Sequence, residues 1–161
     1  MNDNKDGKSS AVTVRRLTHE DIPLIDTWWE NGGTSKSAMT ISRCIDSDKD
    51  VGASLGIVDD NDKTKLIACV VRYESGPLGV LHVVEEHRKK GYGTALLAEA
   101  TRIVMENRDN HDPPLECVAF IKDGNIASEQ VFSKVGYVRE NPNAKKGHGR
   151  RRANRKWIFP S

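Results

Sequence analysis

Hydrophobic and polar positions alternate along some stretches of the chain and recur at helical spacing along others. Period-two alternation and short apolar runs bounded by turn residues predict seven strands. These strands are residues 12–17, 53–58, 66–73, 79–84, 115–121, 137–139 and 157–159. The sequence Asp-Asn-Asp after residue 59 favours a hairpin turn between the second and third strands.

The first two predicted helices lie between the first and second strands. Thr18 followed by an acid three residues later is typical of a helix N-terminus, and Ile22, Ile25 and Trp28 or Trp29 follow at helical spacing. Asn31-Gly32-Gly33 ends this helix, and Ser35 or Ser37 can cap the next one.

Two further helices follow the fourth and fifth strands. The third helix covers about residues 94–107, and the fourth opens after Asn125 and closes at Gly136. The fourth helix is predicted to bury Ala127, Val131 and Val135 on one face. The order of elements is then βααβββαβαββ, which predicts an α/β fold around a central sheet.

Length and composition fit one domain. The chain has 161 residues, of which 37% are hydrophobic and 30% charged, and no apolar run approaches the ~18 residues of a membrane span. Residues 1–10 are polar and lack the pattern of a secretory or transit signal, so we expect a disordered lead, a single domain over residues 11–161 and a cytoplasmic protein.

Cysteines and charges limit the chemistry further. Cys44, Cys69 and Cys117 are isolated in apolar surroundings, so they are expected to be buried, and neither a disulfide framework nor a metal site is predicted. The net charge is +2, but residues 145–156 hold seven Lys or Arg side chains and no acid. This stretch is either a solvated loop or a contact for an anion.

The most specific signal is an Arg-x-x-Gly-x-Gly turn at residues 88–93, between a predicted strand and a predicted helix. A helix N-terminus offers unpaired N–H groups and the positive end of the helix dipole. Glycines allow backbone to approach an anion closely, and Arg88, Lys89 and Lys90 add positive charge. The turn therefore predicts a pyrophosphate site; a purely structural turn is the alternative. The P-loop and dinucleotide fingerprints are absent.

This turn resembles the motif that the GNAT acyltransferase superfamily carries between its fourth strand and third helix. Asn125, Phe132 and the pair Gly136-Tyr137 are similar to its downstream spacing, and the element order is similar over about residues 12–159. The resemblance implies a GNAT-like α/β fold, with a twisted, mixed and mostly antiparallel central sheet of about seven strands. Four helices surround this sheet, which is splayed between strands four and five. The cosubstrate implied is an acyl-CoA, with acetyl-CoA favoured, and no metal.

One branch is more similar. Trp28 or Trp29, Gly32-Gly33, Ser37 and residues 41–45 resemble a helical segment of the glycine N-acyltransferase family, and residues 154–160 resemble its C-terminal end. That resemblance implies acylation of an amino acid, with this chain corresponding to the C-terminal catalytic half. It also suggests Trp29 and Arg43 as acceptor-binding residues; a structural role for Trp29 is the alternative.

In GNAT folds the pantetheine arm lies in the gap between strands four and five. The resemblance therefore implies that strand four pairs with the pantetheine and that amides of residues 89–94 bind the pyrophosphate. The predicted cofactor-binding residues are Leu81, Val83, Val84, Arg88, Lys89, Lys90, Gly91, Tyr92, Gly93, Thr94, Asn125, Ser128 and Phe132.

The sequence departs from its relatives at the catalytic positions. Pro77 stands where glycine N-acyltransferases place their proposed catalytic Glu, and Phe132 stands where many relatives have an acidic Tyr. The remaining candidates for proton transfer are His82, Glu74 and Tyr137. His82 has a suitable unperturbed pKa of ~6.5; a structural histidine beneath a helix is the alternative.

These observations favour direct acyl transfer to a small amine or amino acid. The alternatives are a protein N-terminal or lysine acetyltransferase, and a catalytically weak acyl-CoA-binding module. Nucleic-acid binding is disfavoured, because the basic stretch has one aromatic residue, Trp157, at its edge. No membrane contact is expected, and the chain is predicted to be a monomer or homodimer.

Overall fold

A computed structural model of the chain describes residues 11–29, 35–141 and 154–160. Within them, seven strands and four α-helices follow the predicted order. The strands are β1 (Val12–Arg16), β2 (Leu55–Asp59), β3 (Asp62–Arg72), β4 (Leu78–Val83), β5 (Val118–Lys122), β6 (Val138–Arg139) and β7 (Asn154–Ile158). The helices are α1 (Ile22–Trp28), α2 (Ser35–Ser47), α3 (Tyr92–Glu106) and α4 (Ile126–Val135).

The strands form two antiparallel sheets. One sheet has the order β1-β2-β3-β4 and the other the order β5-β7-β6, so β4 and β5 are both edge strands. They lie beside each other, but neither sheet's ladder includes the other strand. The predicted splay between strands four and five thus divides the central sheet into two hydrogen-bonded parts within the described residues.

The helices cover opposite faces of the first sheet. Side chains of α3, including Leu96, Leu97 and Ala100, form the larger apolar core with β2, β3 and β5. Ile25 of α1 and Ile41 of α2 form a second core with the other face of β3. Both faces of β3 are thus buried, one in each core, which explains why the sequence of this strand is one continuous apolar run.

Local capping follows the sequence closely. Asp21 accepts hydrogen bonds from the backbone N–H and the hydroxyl of Thr18, and it forms an ion pair with Arg15 at 2.8 Å. The Asn125 side chain accepts from the Ser128 N–H, and Gly136 ends α4 in a left-handed conformation. The predicted apolar face of α4 needs correction, because Ala127 is exposed and Phe132 is its buried residue.

The three cysteines are free and buried, as the sequence predicts. Burial raises the pKa of each thiol, that of Cys69 to about 12, so these thiols remain protonated at neutral pH.

Several sequence predictions lie outside the described residues: the lead at residues 1–10, the break at Asn31-Gly32-Gly33, and residues 145–153 of the basic stretch. Two basic residues of that stretch lie on β7, where Arg155 pairs with Asp123 and Lys156 pairs with Glu140. Among the described helices, none is long and apolar enough to cross a membrane.

Candidate functional site

A kink in β4 opens the gap between the two sheets. The pairing shifts between Cys69 opposite His82 and Val71 opposite Gly79, so β4 contains one more residue than the facing part of β3. Within this bulge Val80 has a φ of 48°, a left-handed conformation that a β-branched residue rarely adopts. Strain of this kind persists where the surrounding structure imposes it, and it often marks a functional site.

A cleft of about 1110 Å³ lies at this bulge, between β4 and β5. Its lining residues come from both sheets and from helices on both faces of the first sheet. They are Trp28, Trp29, Tyr73, Leu78, Gly79, Val80, Leu81, His82, Ala119, Phe120, Ile121, Lys122, Asp123, Gly124, Asn125, Ser128, Phe132 and Asn154. This volume is slightly above the usual range for small-molecule sites and leaves room for more than one substrate group.

His82 is brought into this cleft by β4. Its imidazole stacks on the indole of Trp28, with ring centroids 4.6 Å apart and planes 18° apart. No hydrogen bond to the ring is formed by any residue that the structure describes, so both ring nitrogens remain available. Burial, and secondarily the charge of Arg88, lowers the pKa of His82, which favours the neutral imidazole at neutral pH.

Two more aromatic side chains border the same end of the cleft. The Trp29 ring lies 6.2 Å from that of Tyr73, and a Cβ at position 79 would overlap the Tyr73 ring. Gly79 therefore gives Tyr73 the space to lie over β4. Burial raises the pKa of Tyr73 to about 12, so its hydroxyl stays protonated at neutral pH.

The turn at residues 88–93 begins α3 directly after β4. Lys89 and Gly91 have left-handed φ values of 61° and 84°, and a Cβ at Gly91 would meet no atom within 4 Å. The Arg88 amide donates to Glu85 O, and the Ala95 amide donates to Gly91 O. Among the described residues, no acceptor binds the amides from Lys89 to Thr94. The turn thus presents unpaired N–H groups to open space beside three cationic side chains.

The edge of β4 differs from the prediction at two residues. The Val84 amide donates to Ile67 O at 2.9 Å and is therefore not available to a ligand, and its carbonyl accepts from the His87 amide at 3.0 Å. The Val83 carbonyl accepts from Arg88 Nε at 3.0 Å. Because amides alternate in direction along an antiparallel strand, the Val83 N–H points away from β3 toward the gap. The N–H of Val83 is therefore free to pair with a ligand, whereas that of Val84 is not.

The N-terminus of α4 forms the opposite wall. Asn125, Ser128 and Phe132 line the cleft, as does Leu81 of β4. Phe132 is also buried, and its ring packs edge-on against Tyr137 at 5.0 Å. Asp123 lies beside this wall, and its carboxylate oxygens accept from Arg139 at 3.2 Å and Arg155 at 2.8 Å.

Tyr137 is not part of the cleft. Only 2% of it is exposed, its hydroxyl donates to Cys117 Sγ at 3.3 Å, and Thr101 Oγ1 lies 2.9 Å away. Burial raises the pKa of Tyr137 well above its ordinary value. The structure thus places this predicted catalytic residue in the core, where Cys117 and Thr101 of α3 surround its hydroxyl.

Glu74 and Arg43 are exposed and do not line the cleft. Glu74 lies in the turn before β4, where Gly76 and Tyr73 close a hydrogen-bonded loop, and Arg43 lies on the exposed face of α2. Spacing along the chain did not separate these residues from His82 and Trp29, because the packing of α1, α2 and β4 against one another decides which side chains face the cleft.

Sequence reasoning missed the bulge and several lining residues, among them Tyr73, Gly79, Val80 and Phe120. Phe120 is 55% exposed although it lies in an apolar strand between buried neighbours. Only its alternation with Ala119 and Ile121 signalled that it faces away from the core.

Comparison with solved structures identifies the fold. The E. coli ribosomal-protein-S18-alanine N-acetyltransferase matches 93% of this chain and 94% of its own, with 14% identity and a TM-score of 0.64. The PaiA N-acetyltransferase of Thermoplasma acidophilum, solved in complex with coenzyme A, matches 94% and 99%, with 18% identity and a TM-score of 0.62. The chain has the GNAT fold, as predicted.

A Drosophila protein solved by structural genomics matches 94% of this chain with 24% identity and a TM-score of 0.63, but this chain spans only 43% of its length. A comparison with curated protein sequences found no significant match. Residues 54–144, more than half of the chain, match the family model described as FR47-like protein. The chain therefore belongs to the FR47-like protein family.

Proposed function

We infer that this protein is an acyl-CoA-dependent N-acyltransferase that transfers an acetyl or other short acyl group to a small amine. The observation that carries this proposal is the cleft between β4 and β5, together with the unpaired amides at the start of α3. The open edge of β4 and the amides of residues 89–94 suit an elongated, anionic thioester. His82 lies in the cleft at the bulge, where an amine could meet that thioester.

The donor half rests on three features of the chain. The amides of residues 89–94 and the side chains of Lys89 and Lys90 bind the pyrophosphate, and the Val83 N–H pairs with an amide oxygen of the pantetheine. Asn125, Ser128 and Phe132 contact the pantetheine from the α4 side. Arg88 is held on the Val83 carbonyl, so it contributes charge and fixes the turn.

The acceptor half places His82 as the general base. The amine nitrogen attacks the thioester carbonyl carbon, a C–N bond forms and the C–S bond breaks. An imidazole nitrogen of His82 accepts the amine proton, directly or through one water. This proton then passes to the departing CoA thiolate, so CoA leaves as the thiol. Edge amides of β4 at the bulge stabilise the carbonyl oxygen as it gains charge.

Calorimetric titration with CoA and acetyl-CoA, followed by a thiol-release assay with primary amines, tests the proposal. We expect saturable binding of both CoA and acetyl-CoA, and amine-dependent release of CoA from acetyl-CoA. Absence of CoA binding would overturn the proposal. Binding without release for every amine and peptide tested would instead support a non-catalytic acyl-CoA-binding module.

A further inference from the structure

The two ends of the cleft have different chemistry. The end beneath α4 is lined by Asn125, Ser128 and Phe132, whereas the end beneath α1 is lined by Trp28, Trp29, Tyr73 and His82. Val80, with its left-handed backbone, packs in the same core as Trp28 and Tyr73. One face of the sheet therefore carries a polar wall, and the other carries a wall of aromatic rings that meets the first at the bulge.

The aromatic end has flat, apolar surfaces that folding has left accessible. Trp28, Trp29 and Tyr73 are each only half-buried. Trp28 presents one face to His82, and Trp29 and Tyr73 stand tilted at 52° to each other. Tilted and stacked rings of this kind accept another planar ring in offset or edge-to-face contact.

Charge limits what else this end can bind. Among the described lining residues, Asp123 is the sole carboxylate, and two arginines already pair with it. A polyamine needs a carboxylate for its second ammonium group, because an unpaired buried charge is costly. Lys122 is the sole cation of the described lining, and it lies on β5 beside Asp123, away from the aromatic rings of α1.

We propose that Trp28, Trp29 and Tyr73 form the acceptor subsite, and that this subsite takes a primary amine with a flat aromatic body and no second charge. This inference rests on the proposed function. Trp28 also positions the base, because its indole stacks on one face of the His82 imidazole. The amine then lies between the aromatic wall and the thioester at the bulge.

The test is a thiol-release assay with acetyl-CoA and four acceptors: phenethylamine, butylamine, spermidine and glycine. Burial of a phenyl ring among aromatic side chains is expected to raise kcat/KM for phenethylamine about 10-fold over butylamine. Spermidine and glycine should be poorer still. Equal or better use of spermidine or glycine overturns the inference while leaving acyl transfer intact.

Variants locate the subsite. Trp28→Leu and Trp29→Leu should each raise the KM for phenethylamine about 10-fold and leave the Kd of CoA unchanged, whereas Trp28→Phe should restore most of the loss. Trp157→Leu on β7 is the matched control, since Trp157 does not line the cleft. Thermal unfolding of each variant confirms folding.

The positioning role of Trp28 has a separate readout. Trp28→Leu should displace the acid limb of the pH–rate profile, because the imidazole loses the ring that covers it, and Trp157→Leu should not. An unchanged KM and pH profile in Trp28→Leu, with CoA binding intact, overturns the inference. If the unmodified protein does not bind CoA, the proposed function itself is refuted.

Discussion

The core beneath α3 and the cleft between the two sheets differ in how their polar groups are satisfied. Beneath α3, the Tyr137 hydroxyl donates a hydrogen bond to Cys117 Sγ and lies against Thr101. The Thr101 hydroxyl in turn donates to the Leu97 carbonyl at 2.8 Å. At the cleft, the imidazole of His82 has no hydrogen-bond partner among the described residues, and the amides of residues 89–94 are open. Folding satisfies its own polar groups where it needs them for stability. The unpaired groups at the cleft are therefore available to a ligand.

Leu97→Ala tests the core beneath α3 and should have the largest effect. Leu97 is fully buried between α3 and the sheet, so a cavity there should lower the free energy of unfolding by about 3 kcal/mol. Denaturant unfolding measures this change. Leu24→Ala, at a position 39% exposed on α1, is the control and should change stability by less than about 0.5 kcal/mol.

His82→Asn tests the cleft. Loss of the base should lower kcat/KM by about 100-fold, or about 2.7 kcal/mol in the activation free energy. His19→Asn, at an exposed position, is the control and should leave the rate unchanged. A rate within twofold of the unmodified protein would remove His82 from the mechanism.

The pH dependence of the same two variants sharpens this result. Because burial lowers the pKa of His82, the acid limb of kcat/KM should fall below the ordinary ~6.5 and vanish in His82→Asn. The unfolded chain binds a proton at higher pH than the folded chain does, so His82 lowers stability as the pH falls from ~6.5 to its folded pKa. Unfolding measured across this window should show a shallower slope in His82→Asn.

Lys89→Gln combined with Lys90→Gln tests the anion cradle. Removal of two charges beside the open amides should raise the Kd of CoA about 10-fold. The Kd should also rise less steeply with salt concentration than it does for the unmodified protein. Lys63→Gln with Lys65→Gln, on the exposed part of β3, removes the same charge elsewhere. An equal effect from both pairs would show that net charge alone, and not the turn, attracts the ligand.

Tyr137→Phe should have the smallest effect. It distinguishes the core from the cleft most directly, because it should change stability and not catalysis. Loss of the buried hydroxyl should cost about 1 kcal/mol of unfolding free energy. Since Tyr137 does not line the cleft, kcat should be unchanged. A fall in kcat without a change in stability would return Tyr137 to the list of catalytic candidates.

Much of the fold followed from the sequence because its signals are local. Apolar periodicity gave the order of all seven strands and four helices, and capping chemistry placed Thr18, Asn125 and Gly136 at helix ends. The Gly turn at residues 88–93 also depends on neighbouring residues only. Its left-handed Gly91 and its open amides agree with what glycine and a helix N-terminus impose.

The tertiary structure alone decided which of the candidate side chains meet. His82 and Trp29 face the cleft, whereas Glu74 and Arg43 point to solvent and Tyr137 lies in the core. The bulge at Val80 and the pairing of Val84 with Ile67 depend on β3, a separate strand. Periodicity describes one strand or helix at a time, so it cannot report an interaction between two strands that fixes where the chain kinks and which edge stays open.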